Sequence, residues 1–420
     1  MPTPRLPTIR QDTPVLPLPR RLRRWFATIM RDLAPVIVAS AAACDANRYR
    51  KHFWATTHVQ ILLLHRLLGS PSLRQTYALL AACPELLGQP PNTAPPVSFS
   101  DLADSSTTRP AALLAGLLPT LLQWAHRQRG RQDLPPTLRL LDATFFPLSQ
   151  RHAAWLPISR GVQLQVLYAP AAQLPEWVEL PENVCSTDCQ ALDLALLSHP
   201  DRLTALCGTT LVFDLGYYSH TRFDQLLAAG IHLVTRYGQK ARYEVLDERP
   251  VQQPLWDQGG GRITVQADQR IRLGSPNNRT TPHLLELRMV TAEVHPTPKA
   301  AAQGKQVQQY VLLTDRWDLT AHEVVQTYLW RWEIELFFRW LKRTIGAIPV
   351  LGYSRNAVTM SIYLALVVHL LTLLASRAMG FDRASVLVRS LLPGLLLVLA
   401  GSAARGGAPP PLATLAVPDG

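Results

Sequence analysis

The chain has 420 residues, a formal net charge of +12 and an isoelectric point near 9.8. This length allows two or three domains with their own cores, and the charge indicates a polyanionic partner, either nucleic acid or an anionic membrane surface. The basic residues are nearly all arginines, which favour bidentate contacts with phosphate. The five cysteines include no second Cys or His pair that would complete a zinc site, so we expect reduced thiols and a cytoplasmic protein.

The first 130 residues are predicted to be mostly helical. An apolar stretch over His58–Leu68 ends at the helix-breaking residues 69–71, and a second helix is predicted from Ser72 to Leu80. Two short helices around a tight turn are typical of motifs that enter a DNA groove, but the same pattern also forms structural hairpins.

From about residue 131 the pattern changes to short apolar strands that alternate with helices. Helices are predicted over Asp188–Ser198 and Ser219–Ala229. Strands are predicted over Leu138–Leu141, Gly161–Tyr168, Trp177–Leu180, Thr209–Phe213, Ile231–Arg236 and Gln309–Leu313. Residues 238–306 interrupt this alternation with glycine-rich and proline-rich turns and short strands, which indicates a β-rich insertion in an α/β domain.

Two aspartates are predicted to follow strands directly. Asp142 comes after the first strand and Asp214 comes after the fourth. Side chains at the carboxyl ends of strands face a ligand crevice in α/β sheets. Aspartate is also a common turn former and helix cap, so this position alone does not assign a function.

The segment from Tyr328 to Lys342 is predicted to form one amphipathic helix, with Glu333 as the only polar residue on its apolar side. On a helical wheel of about 100° per residue, the other face carries Tyr328, Arg331, Glu335, Arg339 and Lys342. A single carboxylate among cations suits a metal-assisted phosphate site. The alternative is an exposed stripe of ion pairs with little effect on stability.

The segment Ser361–Ala375 has an apolar composition similar to that of a membrane-spanning helix. It falls short of the ~20 apolar residues that a span needs, and it carries His369 near its middle. We therefore predict a buried core helix. The amino terminus has no secretory signal pattern, and the apolar run Leu391–Leu399 has no assigned role.

The residues Tyr328, Arg331, Glu335 and Lys342 are separated by two, three and six residues. This spacing resembles the signature of the insertion-sequence-four family of bacterial DDE transposases, and the surrounding residues 319–358 are also similar to that family. The sequences that begin at Asp142 and Asp214 resemble the first and second acid motifs of the same family.

The resemblance implies a ribonuclease-H-like catalytic domain of the α/β class with a β-rich insertion, preceded by an all-helical N-terminal DNA-binding domain. The implied divisions are a DNA-end-binding region (1–130), the first part of the catalytic domain (131–237), the insertion (238–306), the second part of the catalytic domain (307–380) and a C-terminal tail (381–420).

The resemblance also implies the chemistry. Asp142, Asp214 and Glu335 are the expected catalytic residues and metal ligands, because Mg²⁺ prefers carboxylate oxygen. Two Mg²⁺ ions, replaceable by Mn²⁺, can activate an attacking oxygen and stabilise the leaving one. The implied activity is strand cleavage and strand transfer at the ends of an insertion sequence. The implied partners are double-stranded DNA, at the transposon ends and the target, and a second subunit, with no membrane and a location at the bacterial nucleoid.

For DNA contacts, the resemblance assigns Tyr328, Arg331 and Lys342 to holding the transposon end. Arg339 and Trp332 lie on the same predicted face, where Trp332 either stacks on a displaced base or belongs to the core.

The chain departs from the family at a few positions. Leu215 replaces an arginine that often follows the second acid, and Gln163 and Gln165 replace basic residues, which would weaken DNA contacts. Three other interpretations therefore stay open: an inactive DNA-binding remnant, another ribonuclease-H-like metal nuclease, and a membrane protein.

Overall fold

The computed structural model describes residues 18–48, 52–90, 92–128, 130–149, 161–180, 190, 192–238, 241–251, 253–256, 261–274, 285–346 and 350–378. The chain forms two compact units. The sheet unit comprises residues 130–147 and 158–338, and the helical unit comprises 1–129, 148–157 and 339–420. The predicted C-terminal tail and the start of the helix predicted at Asp188 lie outside the described residues.

The helices and strands take the following bounds. The helices are α1 Leu18–Ala43, α2 Ala55–Leu67, α3 Leu73–Ala82, α4 Phe99–Thr108, α5 Ala112–Ala115, α6 Leu118–His126, α7 Pro200–Ala205, α8 His220–Ala228, α9 Pro298–Ala302, α10 Ala321–Leu329, α11 Trp332–Gly346 and α12 Arg355–Ala378. The strands are β1 Leu138–Pro147, β2 Gly161–Ala169, β3 Leu174–Glu179, β4 Thr210–Phe213, β5 His232–Arg236, β6 Tyr243–Glu248, β7 Leu255–Trp256, β8 Arg262–Leu273, β9 Leu285–His295 and β10 Gln308–Thr314.

The helical unit is built around α12, which packs against α2, α4, α5 and α6. Most of its side chains are buried, which confirms the core helix predicted over Ser361–Ala375. By length and composition, α12 and Trp25–Ala43 in α1 are the two described helices that could cross a membrane. This is weak support for a span, because an apolar core helix meets the same criteria.

The helices α2 and α3 confirm the pair predicted near residues 58–80. Gly69, at φ +64°, ends α2 in the left-handed conformation that glycine adopts without strain. The Ser72 side chain caps α3 by accepting a hydrogen bond from the Gln75 amide at 3.2 Å. Insertion of α3 into a DNA groove stays a prediction.

Asn356, within the stretch that resembles the transposase family, holds two parts of the helical unit together. Its Oδ1 accepts a hydrogen bond from the Ala111 amide at 2.8 Å. Its Nδ2 donates to the carbonyls of Thr107 and Arg109 at 2.9 and 2.7 Å. A Cβ added at Gly352 would lie 2.7 Å from the Thr107 methyl carbon. The family-like residues at the start of α12 therefore have a packing role.

His65 gives the helical unit a specific pH dependence. It is buried, and its Nδ1 lies 2.7 Å from the Thr76 hydroxyl. Burial, helped by the charge of Arg66, lowers the pKa of His65 to about 4. An unfolded histidine has a pKa near 6.5 and takes up a proton first as the pH falls. We expect the folded state to lose about 3 kcal/mol between pH 6.5 and pH 4 from this residue.

The measurement is urea unfolding at pH 7.5 and pH 4.5 for the wild type and for His65→Gln. The wild type should lose more stability than the variant, and the difference isolates His65 from the acidic groups that also titrate in this range. Equal losses in both proteins would show that His65 does not contribute.

The sheet unit contains a ten-stranded mixed sheet in the order β3-β2-β1-β4-β5-β10-β9-β8-β6, with β7 paired to β8. The strands β1, β4 and β5 are parallel, and the other pairings are antiparallel. The predicted strands and α8 are confirmed within about three residues, except for β1, which continues past the predicted end at Leu141 to Pro147. The β-rich segment over 238–306 extends the main sheet, because β9 pairs directly with β10.

Each face of the sheet is covered. One face carries an apolar core that includes Leu141, Phe213 and Leu313, and Phe223 from α8 packs against it. On the other face, α10 contacts strands β5, β8, β9 and β10. Phe337 of α11 stacks on Tyr168 of β2 with ring centroids 5.1 Å apart. The site described below lies at this second face.

Candidate active site

Three neighbouring parallel strands place polar residues at the same level of the sheet. Leu141 of β1 pairs with Phe213 of β4, and Phe213 pairs with Thr235 of β5. The next residues on these strands are Asp142, Asp214 and Arg236. The parallel register thus aligns two acids, 72 residues apart in the chain (214 − 142), with one arginine.

The position of Asp214 is confirmed, whereas the position predicted for Asp142 is wrong. Asp214 directly follows β4 and caps a short 3₁₀ turn, since its Oδ1 accepts the Leu215 amide at 2.7 Å. Asp142 lies inside β1, which continues to Pro147. The strand continues because residues 140–147 pair with β2, whereas the parallel pairing with β4 stops at Leu141.

The single helix predicted from Tyr328 to Lys342 is also wrong. The chain forms α10 and α11, separated by Trp330 and Arg331. The Arg331 amide bonds to the Tyr328 carbonyl, and the Glu333 amide bonds to the Trp330 carbonyl. These i to i+3 bonds tighten the backbone to a 3₁₀ turn, an irregularity that often marks a functional position in a helix. The predicted exposure also differs: Tyr328 is buried and Leu336 is exposed.

Arg331 joins the first and third acids. Its Nη1 lies 3.0 Å from Asp142 Oδ2 and 3.2 Å from Glu335 Oε1. The other Asp142 oxygen accepts a hydrogen bond from the Ala143 amide at 2.8 Å. All three side chains are less than two-fifths exposed, at 15%, 18% and 37% for Asp142, Arg331 and Glu335.

The pKa of Asp142 is raised to about 6, mainly because the carboxyl group is buried. The Ala143 amide and Arg331 oppose this shift, and the nearby charges of Glu335 and Asp214 reinforce it. The site therefore concentrates more negative charge than its one bridging arginine neutralises. A polyvalent cation would stabilise such a cluster.

Tyr328 connects Asp214, the second acid, to the cluster of Asp142, Arg331 and Glu335. Its hydroxyl donates a hydrogen bond to Asp214 Oδ1 at 3.2 Å. Burial and the charge of Asp214 raise the pKa of Tyr328, so the hydroxyl stays a donor at neutral pH. The Arg331 guanidinium lies 6.0 Å from the centroid of the Tyr328 ring. Tyr328 and Arg331 thus connect all three predicted acids.

Arg236 and Tyr310 are residues of this site that the sequence analysis missed. The Tyr310 ring lies 5.6 Å from the Tyr328 ring, and the Arg236 guanidinium lies 5.7 Å from the Tyr310 centroid. Arg236 is exposed, and no described carboxylate forms an ion pair with it. Its position at the carboxyl end of the strand predicted over Ile231–Arg236 was the available signal.

The other residues predicted on this segment, Trp332, Glu333, Arg339 and Lys342, differ in their exposure and contacts. Trp332 is 54% exposed, so the core interpretation is wrong for this residue. Glu333, the exception on the apolar side, accepts a hydrogen bond from Arg131 at 2.8 Å. Arg339 and Lys342 are exposed farther along α11, in the part that belongs to the helical unit.

Of the departures from the family pattern, Gln165 has a structural explanation. It is buried, and its Oε1 accepts a hydrogen bond from the Tyr217 hydroxyl at 2.7 Å. The glutamine at this position is thus a buried partner of Tyr217 and does not occupy an exposed position for a DNA contact. Leu215 is 42% exposed, so its side chain is accessible beside Asp214.

Residues 133–371, more than half of the chain, match the family described as the transposase DDE domain. The chain belongs to the DDE transposase family. Among its relatives, "Putative transposase y4zB" of Sinorhizobium fredii is 29% identical over 283 residues, which is 66% of this chain and 71% of that protein. "Probable transposase for insertion sequence element IS5377" of Geobacillus stearothermophilus is 23% identical over 285 residues, which is 66% of this chain and 67% of that protein.

In this DDE transposase, the three acids have the oxygen donors that suit a hard divalent cation. The three acids do not form a complete metal-binding site in their present positions. Within the described ranges, no three His, Cys, Asp or Glu side chains are grouped closely enough to hold an ion. Arg331 instead occupies the space between Asp142 and Glu335. The carboxylate oxygens are of the donor type that suits Mg²⁺.

Proposed function

We propose that this transposase cuts and joins DNA at the ends of its insertion sequence by metal-dependent phosphoryl transfer, as a member of the insertion-sequence-four family. The observation that carries this proposal is the convergence of Asp142, Asp214 and Glu335 around Tyr328 and Arg331. These residues come from two strands and two helices of the sheet unit. The alternative, an exposed stripe of ion pairs along one helix, would not bring acids from separate parts of the fold together.

The proposed catalytic fold is ribonuclease-H-like. The strand order β3-β2-β1-β4-β5, with β2 antiparallel to β1 and with β1, β4 and β5 parallel, supports this assignment. In that arrangement, the first and second acids lie on the two adjacent strands β1 and β4. The proposed all-helical DNA-end-binding region is supported by the helices α1–α6.

The proposed metal ligands are Asp142, Asp214 and Glu335, with two Mg²⁺ ions, replaceable by Mn²⁺, as the cofactor. When bound, such ions supply charge neutralisation and Lewis-acid activation at a phosphate. The chain itself supplies the hydrogen bonds that orient the acids. The Ala143 amide fixes one oxygen of Asp142, and the Leu215 amide and the Tyr328 hydroxyl both bond to Asp214 Oδ1.

Some of the proposed DNA contacts lie beside these acids within the sheet unit. Arg331 can hold a backbone phosphate through its planar fork, and Arg236 is an exposed cation at the same strand level as Asp214. Trp332 offers an exposed aromatic face on which a displaced base can stack. Tyr328, Arg339 and Lys342 complete the proposed end-binding set. The proposed assembly is a dimer on double-stranded DNA in the bacterial cytoplasm, without a membrane.

Arg236 provides a test of the proposed DNA surface. Since a single phosphate contact contributes a counterion-release term, Arg236→Ala should weaken end binding about 3- to 10-fold and reduce the salt slope by about 1. Fluorescence anisotropy with labelled end DNA at several salt concentrations measures both quantities. Arg270→Ala is the matched control, because Arg270 is paired with Glu286 at 2.5 Å. Equal effects from both substitutions would contradict a specific role for Arg236.

The function is tested by incubating the transposase with labelled DNA from the boundaries of its encoding element and Mg²⁺ or Mn²⁺. We expect metal-dependent cut ends and strand-joined products. Hydrolysed ends without joining would indicate another metal nuclease of the same fold. Specific binding without cutting would indicate an inactive remnant.

A further inference from the structure

We propose that Arg331 is a displaceable internal counter-ion, which competes with the divalent cation for Asp142 and Glu335 and becomes available to phosphate when the cation binds. This inference rests on the proposed metal-dependent function. It adds a coupling between metal loading and DNA binding that the acids alone would not provide.

The first observation is that a single nitrogen atom of Arg331 contacts two carboxylates. Arg331 Nη1 contacts Asp142 Oδ2 at 3.0 Å and Glu335 Oε1 at 3.2 Å, so a single cationic group bridges carboxylates from a strand and a helix. Asp142 Oδ1 is already bonded to the Ala143 amide. Arg331 therefore holds the Asp142 oxygen that the Ala143 amide leaves without a hydrogen bond.

The second observation is the balance of charge. Asp142, Asp214 and Glu335 carry three negative charges, and Arg331 is the one described cation that forms an ion pair with any of them. Tyr328 contributes a neutral hydroxyl to Asp214. A divalent cation placed between Asp142 and Glu335 would neutralise them more completely. It would also repel Arg331 at short range in a partly buried setting, where screening by water is weak. Simultaneous occupation of the same oxygens is thus unfavourable.

The third observation is the backbone position of Arg331. It lies in the 3₁₀ turn between α10 and α11, and its side chain is 18% exposed. Because Arg331 lies outside both helices, a rotation of its side chain would be enough to release Nη1 from the two carboxylates. The released guanidinium has the fork geometry that binds phosphate oxygens. Metal binding would in this way expose a phosphate ligand beside the acids.

The test compares Mn²⁺ binding to the DNA-free full chain, measured by electron paramagnetic resonance, in the wild type, Arg331→Gln and Arg331→Lys. Loss of a charge-assisted hydrogen-bonded competitor should tighten Mn²⁺ binding about 10- to 100-fold in Arg331→Gln. Arg331→Lys should fall between the two. Arg131→Gln is the matched control, since Arg131 pairs with Glu333 and Asp133 and not with the acids of the site; its Mn²⁺ affinity should match the wild type.

A second readout separates competition from a folding effect. Ca²⁺, which supports binding in place of Mg²⁺, should tighten binding of end DNA by the wild type and have a smaller effect on Arg331→Gln. Equal or weaker Mn²⁺ binding in Arg331→Gln, with unchanged thermal unfolding, would overturn the inference and leave the proposed function standing. No Mn²⁺ binding by any variant would overturn both.

Discussion

Glu335→Gln is expected to reduce DNA cleavage and joining about a thousandfold or more, as removal of one member of a catalytic unit does in other enzymes. The substitution keeps the size and a hydrogen-bonding oxygen of the side chain but removes its charge. Asp142 would then have only Asp214 as a charged partner for a cation. Binding of end DNA should persist, because the substitution leaves the proposed DNA contacts Arg331, Arg236 and Trp332 unchanged.

The matched control is Glu333→Gln, two residues earlier in the same helix. Glu333 bonds to Arg131 and not to the acids, so this variant should stay within about tenfold of the wild-type rate. The measurement is the single-turnover cleavage rate on labelled end DNA at saturating protein. Similar losses of cleavage rate in both variants would indicate that the rate depends on the structure of the helix start and not on the carboxylate of Glu335.

The acids should also act as one unit. Asp142→Asn and Asp214→Asn should each abolish cleavage to a similar degree, and the double variant should be no slower than either single variant. If the rate losses of the two single variants multiply in the double variant, the two carboxylates act independently. That result would contradict a shared metal site.

Arg288→Met is expected to destabilise the sheet unit by about 3 to 5 kcal/mol, the usual effect of removing one partner from a buried ion pair. Arg288 is 1% exposed, and its guanidinium makes two bonds of 2.8 Å to the two oxygens of Asp268. Its Nη1 also donates to the carbonyls of Arg316 and Leu319, at 3.0 and 2.6 Å. Without Arg288, Arg249 at 4.0 Å is the one ion-pair partner that Asp268 keeps among the described residues.

These bonds also matter for the site. The carbonyl of Leu319 directly precedes Thr320, whose side chain forms a capping box with Glu323 at the start of α10. The same helix carries Tyr328. Loosening of this loop should therefore slow cleavage even at temperatures where the protein stays folded.

Urea unfolding tests this prediction directly. Arg270→Met is the control, because the Arg270–Glu286 pair is exposed on the same β-rich segment and should leave the unfolding midpoint unchanged. The double variant Arg288→Met with Asp268→Leu should regain more than half of the lost stability, since it removes the unpaired charge. A single variant as stable as the wild type would show that Asp268 is solvated or neutral.

Local sequence patterns predicted much of the sheet unit. The strand before Asp214 and the helix α8 were correct, because each is a short apolar or amphipathic segment with a clear end. Asp142 was placed wrongly because the length of β1 is set by its pairing with β2, which is a non-local property. The same limit applies to Glu333, whose partner Arg131 lies 202 residues away in sequence.

The turn at Trp330 and Arg331 shows a different limit. The apolar and polar residues around it fit one continuous helical wheel, so no sequence pattern indicated the i to i+3 hydrogen bonds that interrupt the helix. Arg236, by contrast, could have been found. It is the last residue of the strand predicted over Ile231–Arg236, and the carboxyl ends of parallel strands in an α/β sheet meet at one edge.

The most direct test of the central claim is to locate the bound metal on the chain. Fe²⁺ can be substituted for Mg²⁺, and with ascorbate and peroxide it cuts the polypeptide next to its ligands; mass spectrometry then maps the cuts. We predict cuts near Asp142, Asp214 and Glu335 in the same preparation, suppressed by excess Mg²⁺ and lost in Asp214→Asn. Cuts elsewhere, or cuts that Mg²⁺ does not suppress, would contradict a single metal site built from these three acids.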